Sequence, residues 1–357
     1  MDRDKLLISV FIALTVWTIS LGIRQWALLN ESLVELYYSR SFFPIVSYYI
    51  SHFSEQFKFS LGEWLFIIAL IAFAFFCVRL CLKRRFIKLL TSILLITGII
   101  YMVFLFSWGL NYYRAPLSDT MKLKRGDVTA AELTELCKAL TIKANQLADN
   151  QIIALEGSVS GDTLDFINKA ADGYAALSEK WDFLETNGNT VKPIYNSKLL
   201  SWMGISGVYL FYTAEPNINI DQPFFMRASS ACHELAHRIG FAREDEANFL
   251  AWLACSNNTS LEYQYSGALL ALINISNALA ASDWDAFSEI RDSYSPKLRA
   301  DLTALNEYWA DFDGPWDKIV DRLNDLYLKG NNQPSGTRSY GEMIYLLLDY
   351  TRQYGID

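Results

Sequence analysis

Residues 231–240 read Ala231-Cys232-His233-Glu234-Leu235-Ala236-His237-Arg238-Ile239-Gly240, and no other stretch says as much about the chain. Positions four apart share a face of a helix, so a helical reading sets the imidazoles of His233 and His237 side by side, within reach of one ion. Zinc accepts imidazole nitrogen at ~2.0–2.1 Å, and a catalytic zinc keeps one of its four positions open for water. Glu234, beside the first imidazole, is then placed to take a proton from that water. Gly240 falls where a left-handed glycine ends a helix. The chain has only three His, and two of them are here. The plainer alternative is a helix whose two His are paired with local carbonyls.

A third ligand is required, and the remaining His52 lies far upstream, before a long apolar run. The next segment, Arg243-Glu244-Asp245-Glu246-Ala247-Asn248-Phe249-Leu250-Ala251, supplies carboxylates. Apolar residues at Ala247, Leu250, Ala251 and Ala254 predict a second helix beginning near Glu244. A turn at Gly240 folds it back beside the first, bringing one of its early acids toward the metal. An acid also suits a helix N-terminus electrostatically.

A His-Glu-x-x-His helix followed by a helix bearing Glu-x-x-Ala-Asn resembles the gluzincin zinc metallopeptidases. The resemblance covers roughly residues 205–256. It implies Zn2+ as cofactor, His233, His237 and Glu244 as metal ligands, Glu234 as catalytic base, and Asn248 as the group steadying a ligating His from behind. It also implies hydrolysis of a peptide or protein substrate. The sequence departs from that pattern in its seven-residue step from His237 to Glu244, shorter than most gluzincins. Gly240 resembles the metzincin glycine, but the position three residues on is Arg243, which cannot ligate. Glu246 is the alternative ligand. Zincins place an edge strand above the active-site helix, and Tyr209 to Ile220 is the segment for it. Tyr263, Tyr265, Arg338 and Tyr340 are the candidates for an oxyanion donor. The whole layout, from the first residues on, also resembles an uncharacterised family of bacterial membrane proteins with three N-terminal crossings and a C-terminal domain bearing this motif pair.

Upstream, the chain is markedly apolar. Leu6–Ile23 and Leu89–Leu110 carry no charge, and Trp64–Leu82 is interrupted only by Arg79 near its end. Each is about long enough to cross a bilayer core of roughly 30 Å. The first exceeds the usual ~7–15-residue signal core, and Arg24-Gln25-Trp26 offers no cleavage site, so an uncleaved anchor is expected. Lys83, Arg84, Arg85 and Lys88 crowd the short connection at 83–88, which marks it as cytoplasmic. With three crossings the N-terminus is cytoplasmic and everything after Leu110 lies outside. Residues 1–110 hold 10 Lys and Arg against 6 Asp and Glu, while 111–357 hold 21 against 33. So acidic a domain argues against nucleic acid as a partner.

The expected organisation is therefore a membrane domain at 1–110, a linker at 111–128 and an extracytoplasmic domain at 129–357. The outer loop 24–61, rich in Tyr and Phe, reads as two short amphipathic helices at the interface. Thr129 with Glu132 has the spacing of a capping box opening a helix. A second helix is expected over 162–184 and a turn at Asn187-Gly188-Asn189. Strand is expected only at Val208–Thr213 and Ile218–Ile220, and helix almost throughout from Phe224, apart from a loop at Lys329–Arg338. The five Cys form no disulfide framework, although Cys232 and Cys255 meet if their helices pack. The fold class expected is three N-terminal transmembrane helices followed by a mostly α-helical, α+β zincin-like domain with a small sheet. The activity expected is that of a membrane-anchored zinc peptidase in a bacterial cell membrane, in contact with the lipid bilayer. The alternative is a non-catalytic zinc-binding ectodomain that senses or recruits a protein, which would require a fourth protein ligand such as Cys232 or Glu246. A third reading, a membrane scaffold with an accidental motif, predicts no metal at all.

Overall fold

A computed structural model describes residues 3–158, 163–186 and 190–356. The chain is mostly helical, with one small sheet, and divides into two compact units. The first comprises residues 1–115 with 210–215, and the second residues 116–209 with 216–357.

In the first unit the apolar runs become α1 (Arg3–Leu28), α4 (Leu61–Leu82) and α5 (Phe86–Ser107). Only 11%, 6% and 17% of their most apolar windows is buried, which leaves most of their apolar side chains facing outward. That is the surface of a helix solvated by hydrocarbon rather than water, and it points to a membrane protein. The last helix stops at Ser107 rather than Leu110. Trp108 leaves helical geometry there, and Gly109–Tyr113 tighten into a 3-10 turn.

Between α1 and α4 lie α2 (Glu31–Leu33), a nine-residue π-helical stretch at Val34–Phe42, and α3 (Phe43–Ser54) with Pro44 in its first turn. The loop is thus helical as expected, but its middle is wound wider than an α-helix. One carboxylate joins its ends to the rest of the unit. Arg114, almost fully buried, makes a bidentate pair with Glu35 at 2.8 and 2.9 Å, and Arg40 reaches the same carboxylate. A buried guanidinium is tolerable only when paired in this way. Glu215 caps α4, accepting from the N–H groups of Leu61 and Gly62.

Residues 111–128, expected as a linker, are packed instead. Asn111, Tyr112, Tyr113 and Arg114 are buried in the first unit; Leu117, Met121 and Leu123 are buried in the second, around the short α6 (Leu117–Thr120). The apolar residues among them are what hold this segment down.

The second unit opens with α7 (Ala130–Ser158), where Thr129 and Glu132 exchange the two hydrogen bonds of a capping box. The single helix expected over 162–184 is broken into α8 (Thr163–Asn168), α9 (Ala170–Ser178) and a 3-10 turn at Asp182–Leu184. Asn168 accounts for the first break, since its amide accepts from Val191 N–H and donates to Leu164 C=O. The turn expected at 187–189 lies outside the described residues. Next come β1 (Lys192–Pro193), α10 (Ser197–Trp202), β2 (Gly207–Leu210) and β3 (Glu215–Ile218). The sheet order is β1-β3-β2, with β1 parallel to β3 in the register Lys192 to Asn217. The strand expected over Val208–Thr213 ends at Leu210 because the chain must turn, with Ala214 at φ +51°.

The rest is helical: α11 (Phe224–Arg238), α12 (Glu244–Ser256), α13 (Leu261–Ser282), α14 (Trp284–Asp292), α15 (Pro296–Ala310), α16 (Pro315–Gly330) and α17 (Met343–Tyr354). Residues 329–338, expected as a loop, hold the end of α16 and the start of a 3-10 helix at Gly336–Glu342. Helix α12 is the centre of this unit. It packs against α11, α13, α9 and α17, and Phe249 to Cys255 are all buried. Helix α13 is also long and apolar enough to cross a membrane, but 56% of its window is buried inside this unit.

Gly173 on α9 faces the backbone of α12, and a Cβ there would collide with the Ala254 carbonyl oxygen. Since neither backbone can yield without moving α12, Gly173→Ala is expected to cost ~1–3 kcal/mol or more. Thermal unfolding of the full chain in detergent measures this. An unchanged midpoint would mean that α9 and α12 are not so tightly apposed.

Candidate metal centre

Helix α11 ends where Gly240 adopts φ +94°, with Phe241 N–H returning to Ala236 C=O and Gly240 N–H to His237 C=O. This left-handed exit reverses the chain within a few residues. Helix α12 then starts at Glu244, with Arg243 as its extended N-cap residue. The seven-residue step is therefore spanned by one helix cap and one helix start, and the two helices lie side by side.

That turn brings three sequence-expected residues together. His233 Nε2, His237 Nε2 and a Glu244 carboxylate oxygen lie within 4.8 Å of one another, the one such potential ligand cluster among the described residues. Glu244 Oε2 stands 3.2 Å from His233 Nε2 and 3.5 Å from His237 Nε2. Each imidazole is fixed from behind. His233 Nδ1 is 2.8 Å from Asn248 Oδ1, and His237 Nδ1 is 2.8 Å from the Phe241 carbonyl oxygen. A carbonyl can only accept, so His237 carries its proton on Nδ1. Asn248 donates through Nδ2 to Tyr340 C=O at 2.9 Å, which turns its own oxygen toward His233 and sets the same tautomer there. In the neutral form each imidazole would aim an Nε2 lone pair into the cluster, as metal ligands do when their other nitrogen is held by an acceptor.

The rival carboxylate lies elsewhere. Glu246 accepts from Leu117 N–H at 2.7 Å and from Arg243 at 2.7 Å, and it is not in the cluster. Cys232 is directed to Cys255, with 3.6 Å between their sulfurs; both are buried free thiols. Of the residues considered as oxyanion donors, Tyr263 and Tyr265 are committed to the core, to Phe166 C=O and to Asp301. Arg338 is exposed. Tyr340 alone stands at the site, its ring 6.3 Å from that of His233 and nearly parallel to it.

Burial and charge divide the two carboxylates. Burial alone would push Glu244 up, but the two imidazoles outweigh it and hold Glu244 down at about 2. Glu234, also buried, is pushed up to about 7 because its desolvation exceeds the help it draws from His233 and His237, and Glu244 adds repulsion. Its Oε2 is buried without a hydrogen-bond partner. For His237, desolvation acts downward, yet Glu244 prevails and raises it to about 9. Beside Glu234 runs the start of β2, where a Cβ at Gly207 would collide with the Glu234 carboxylate. Only glycine permits so close an approach of backbone to that group.

Several contacts here had no signal in the sequence. Phe241 C=O holds His237 through backbone, so any residue type could serve. Gln333, which accepts from Glu244 N–H at 3.0 Å, lies 89 positions downstream, and Tyr340 lies 92 positions beyond Asn248. No local pattern points to contacts at that range.

Residues 38–348 match the family model described as a protein of unknown function, DUF3810, and the chain belongs to that family. No curated protein and no solved structure matches it.

Two predictions follow from the ligand geometry. With no metal present, His237 is protonated at pH 7, and a metal can bind only by displacing that proton. Affinity should therefore rise about tenfold per pH unit from 7 toward 9 and level off above. Calorimetry with an added divalent metal, in buffers of different ionisation heat, should read about one proton released per ion bound at pH 7; none released would contradict the charge state of His237. Asn248→Ala frees the back of His233 and should weaken whatever metal binding the cluster supports roughly 10–100-fold, read by competition with a chelating dye.

Proposed function

We propose that this chain is a membrane-anchored, zinc-dependent peptidase. The observation that carries the reading is the convergence of His233 Nε2, His237 Nε2 and Glu244 on one point, with Glu234 buried alongside them. Two imidazole nitrogens and one carboxylate oxygen are the donor set of a catalytic zinc site that keeps a position open. Cys232 and Glu246, the residues that could have closed the coordination sphere, are both engaged elsewhere, which favours catalysis over a purely structural site.

A zinc ion held there would supply a Lewis acid that polarises a scissile carbonyl and makes water a better acid. Glu234 is the proton acceptor. Its raised pKa places it close to the working pH, where a general base both accepts and returns a proton effectively. Tyr340, whose hydroxyl burial and then Glu244 keep protonated far above neutral pH, is the candidate donor for a developing oxyanion. The strand β2 is an edge of its sheet and begins at Gly207 against Glu234, so an extended peptide can pair with it and carry its backbone past the base. Asn248 and Phe241 hold the imidazoles in the tautomer that ligation needs.

The membrane helices set where this happens. We read α1, α4 and α5 as three crossings. Lys83, Arg84, Arg85 and Lys88 lie at the short turn between α4 and α5, which supports a cytoplasmic turn and a metal site on the outer face. The substrate is then a peptide segment presented outside the cytoplasmic membrane.

The test is made on the full chain purified in detergent without chelator. Elemental analysis should find about one zinc per chain, falling sharply in Glu244→Ala. Glu234→Gln should keep the zinc and lose about 10²–10⁴-fold of the hydrolysis of a fluorescent casein. Undiminished hydrolysis by a zinc-loaded Glu234→Gln protein would rule out this mechanism, and a folded chain with no stoichiometric metal would rule out the site itself.

A further inference from the structure

Helix α16 turns most of its large apolar residues outward. Trp316, Ile319, Leu323, Leu326 and Tyr327 are all exposed, Trp316 by 67% and Leu323 by 61%. At about 100° per residue they fall within an arc of roughly 100°. Lys318, Asp321, Arg322 and Lys329 fill a second arc, and Leu328, the one buried residue of the helix, lies on a third. Contact with the rest of the second unit runs mainly through the 3-10 helix Gly336–Glu342, where Thr337 N–H bonds Asp325 and Asn324 meets Tyr340. A soluble domain gains nothing by holding five large apolar side chains in water on one face.

We propose that this face of α16 rests on the lipid bilayer, its apolar arc sunk between the headgroups. Three observations select a bilayer over other occupants. The second unit begins at Pro116, nine residues after α5 ends at Ser107, and nine residues span at most ~30 Å. The unit is therefore tethered permanently beside whatever membrane α5 crosses, so even weak insertion is favoured by effective concentration. The arc carries Trp316 near one end and Tyr327 near the other, the ring types that partition to the headgroup level. Finally, α16 packs mainly on the 3-10 helix Gly336–Glu342, so its outward arc is the ridge of a single helix. A peptide needs a cleft, whereas a compliant lipid surface accepts a ridge. The charged residues Asp317, Lys318, Asp321, Arg322, Asp325 and Lys329 balance, so apolar insertion rather than attraction to anionic lipid holds the helix down.

The inference is independent of the metal and of peptide hydrolysis. It is tested with the full chain in vesicles of phosphatidylethanolamine and phosphatidylglycerol, in a Cys77→Ser, Cys81→Ser background. A nitrobenzoxadiazole label is placed at Leu323→Cys and, for comparison, at Asp321→Cys on the charged arc. Both positions are exposed, so neither label disturbs the core. The expected result is blue-shifted emission at 323 with several-fold stronger quenching by brominated acyl chains than at 321. Quenching should persist in purely zwitterionic phosphatidylcholine vesicles. Solvent-like, unquenched emission at 323 would overturn the proposal. So would blue-shifted emission that brominated lipid does not quench, because a second copy or a protein partner would then cover the face. Equal quenching at both positions, or quenching that requires phosphatidylglycerol, would overturn insertion by the apolar arc.

Discussion

A buried carboxylate set between two buried imidazoles organises the second unit. Glu244 can be ionised inside a protein only because His233 and His237 stand 3.2 and 3.5 Å from it. Those imidazoles in turn are oriented by single acceptors that leave their Nε2 atoms facing Glu244. The arrangement requires two helices in register side by side, and that register rests on Gly240, the one residue between them that exits through left-handed backbone. Helix α12, surrounded by α9, α11, α13 and α17, has no freedom to slide. The packing of the core is therefore also the accuracy of the site.

The same pocket treats its two carboxylates oppositely. Glu244 lies between both imidazoles and is held down; Glu234 draws less from them and is pushed up by its own burial. Carboxylates driven apart in this way suit different tasks, one as a permanent anion and one as a group that gains and loses a proton near neutrality. A core with only structural ion pairs would be expected to place Glu234 where a donor could satisfy it. Instead its Oε2 is buried without a partner, beside a strand that approaches through glycine. An orphaned acceptor is costly, and such costs collect where a protein handles something other than itself.

Much of this was legible in the sequence because the relevant spacings are local. His233 and His237 are one helical turn apart, Gly240 lies just beyond the helix they occupy, and Glu244 opens the next, so short-range geometry brings the cluster together. The capping box at Thr129 and Glu132 was legible for the same reason. The helix expected over 162–184 failed at Asn168 because that side chain bonds Val191, a partner 23 positions away that no periodicity reveals. Within residues 111–128, read as a linker, Leu117, Met121 and Leu123 are too sparse to form a pattern, yet they are buried. Composition has a further limit at α13. It passes the same tests of length and apolarity as α1, α4 and α5, and only its burial in a protein core tells them apart.

The segment from Pro315 to Glu342 connects the exterior with the site. Its helix turns an apolar arc outward and holds little of the core, while its trailing residues supply Gln333 to the backbone of Glu244, the Tyr340 carbonyl to Asn248, and the Tyr340 ring to His233. Asn324 on the helix meets the Tyr340 hydroxyl, so one side chain links the exposed helix to the ring that faces His233. An element with few core contacts is the cheapest part of a fold to move. Whatever steadies α16 from outside therefore also steadies Tyr340 and Asn248, and through Asn248 the orientation of His233. The face of α11 that carries His233 and His237 is rigid by its own packing, whereas the far wall of the site depends on where α16 lies.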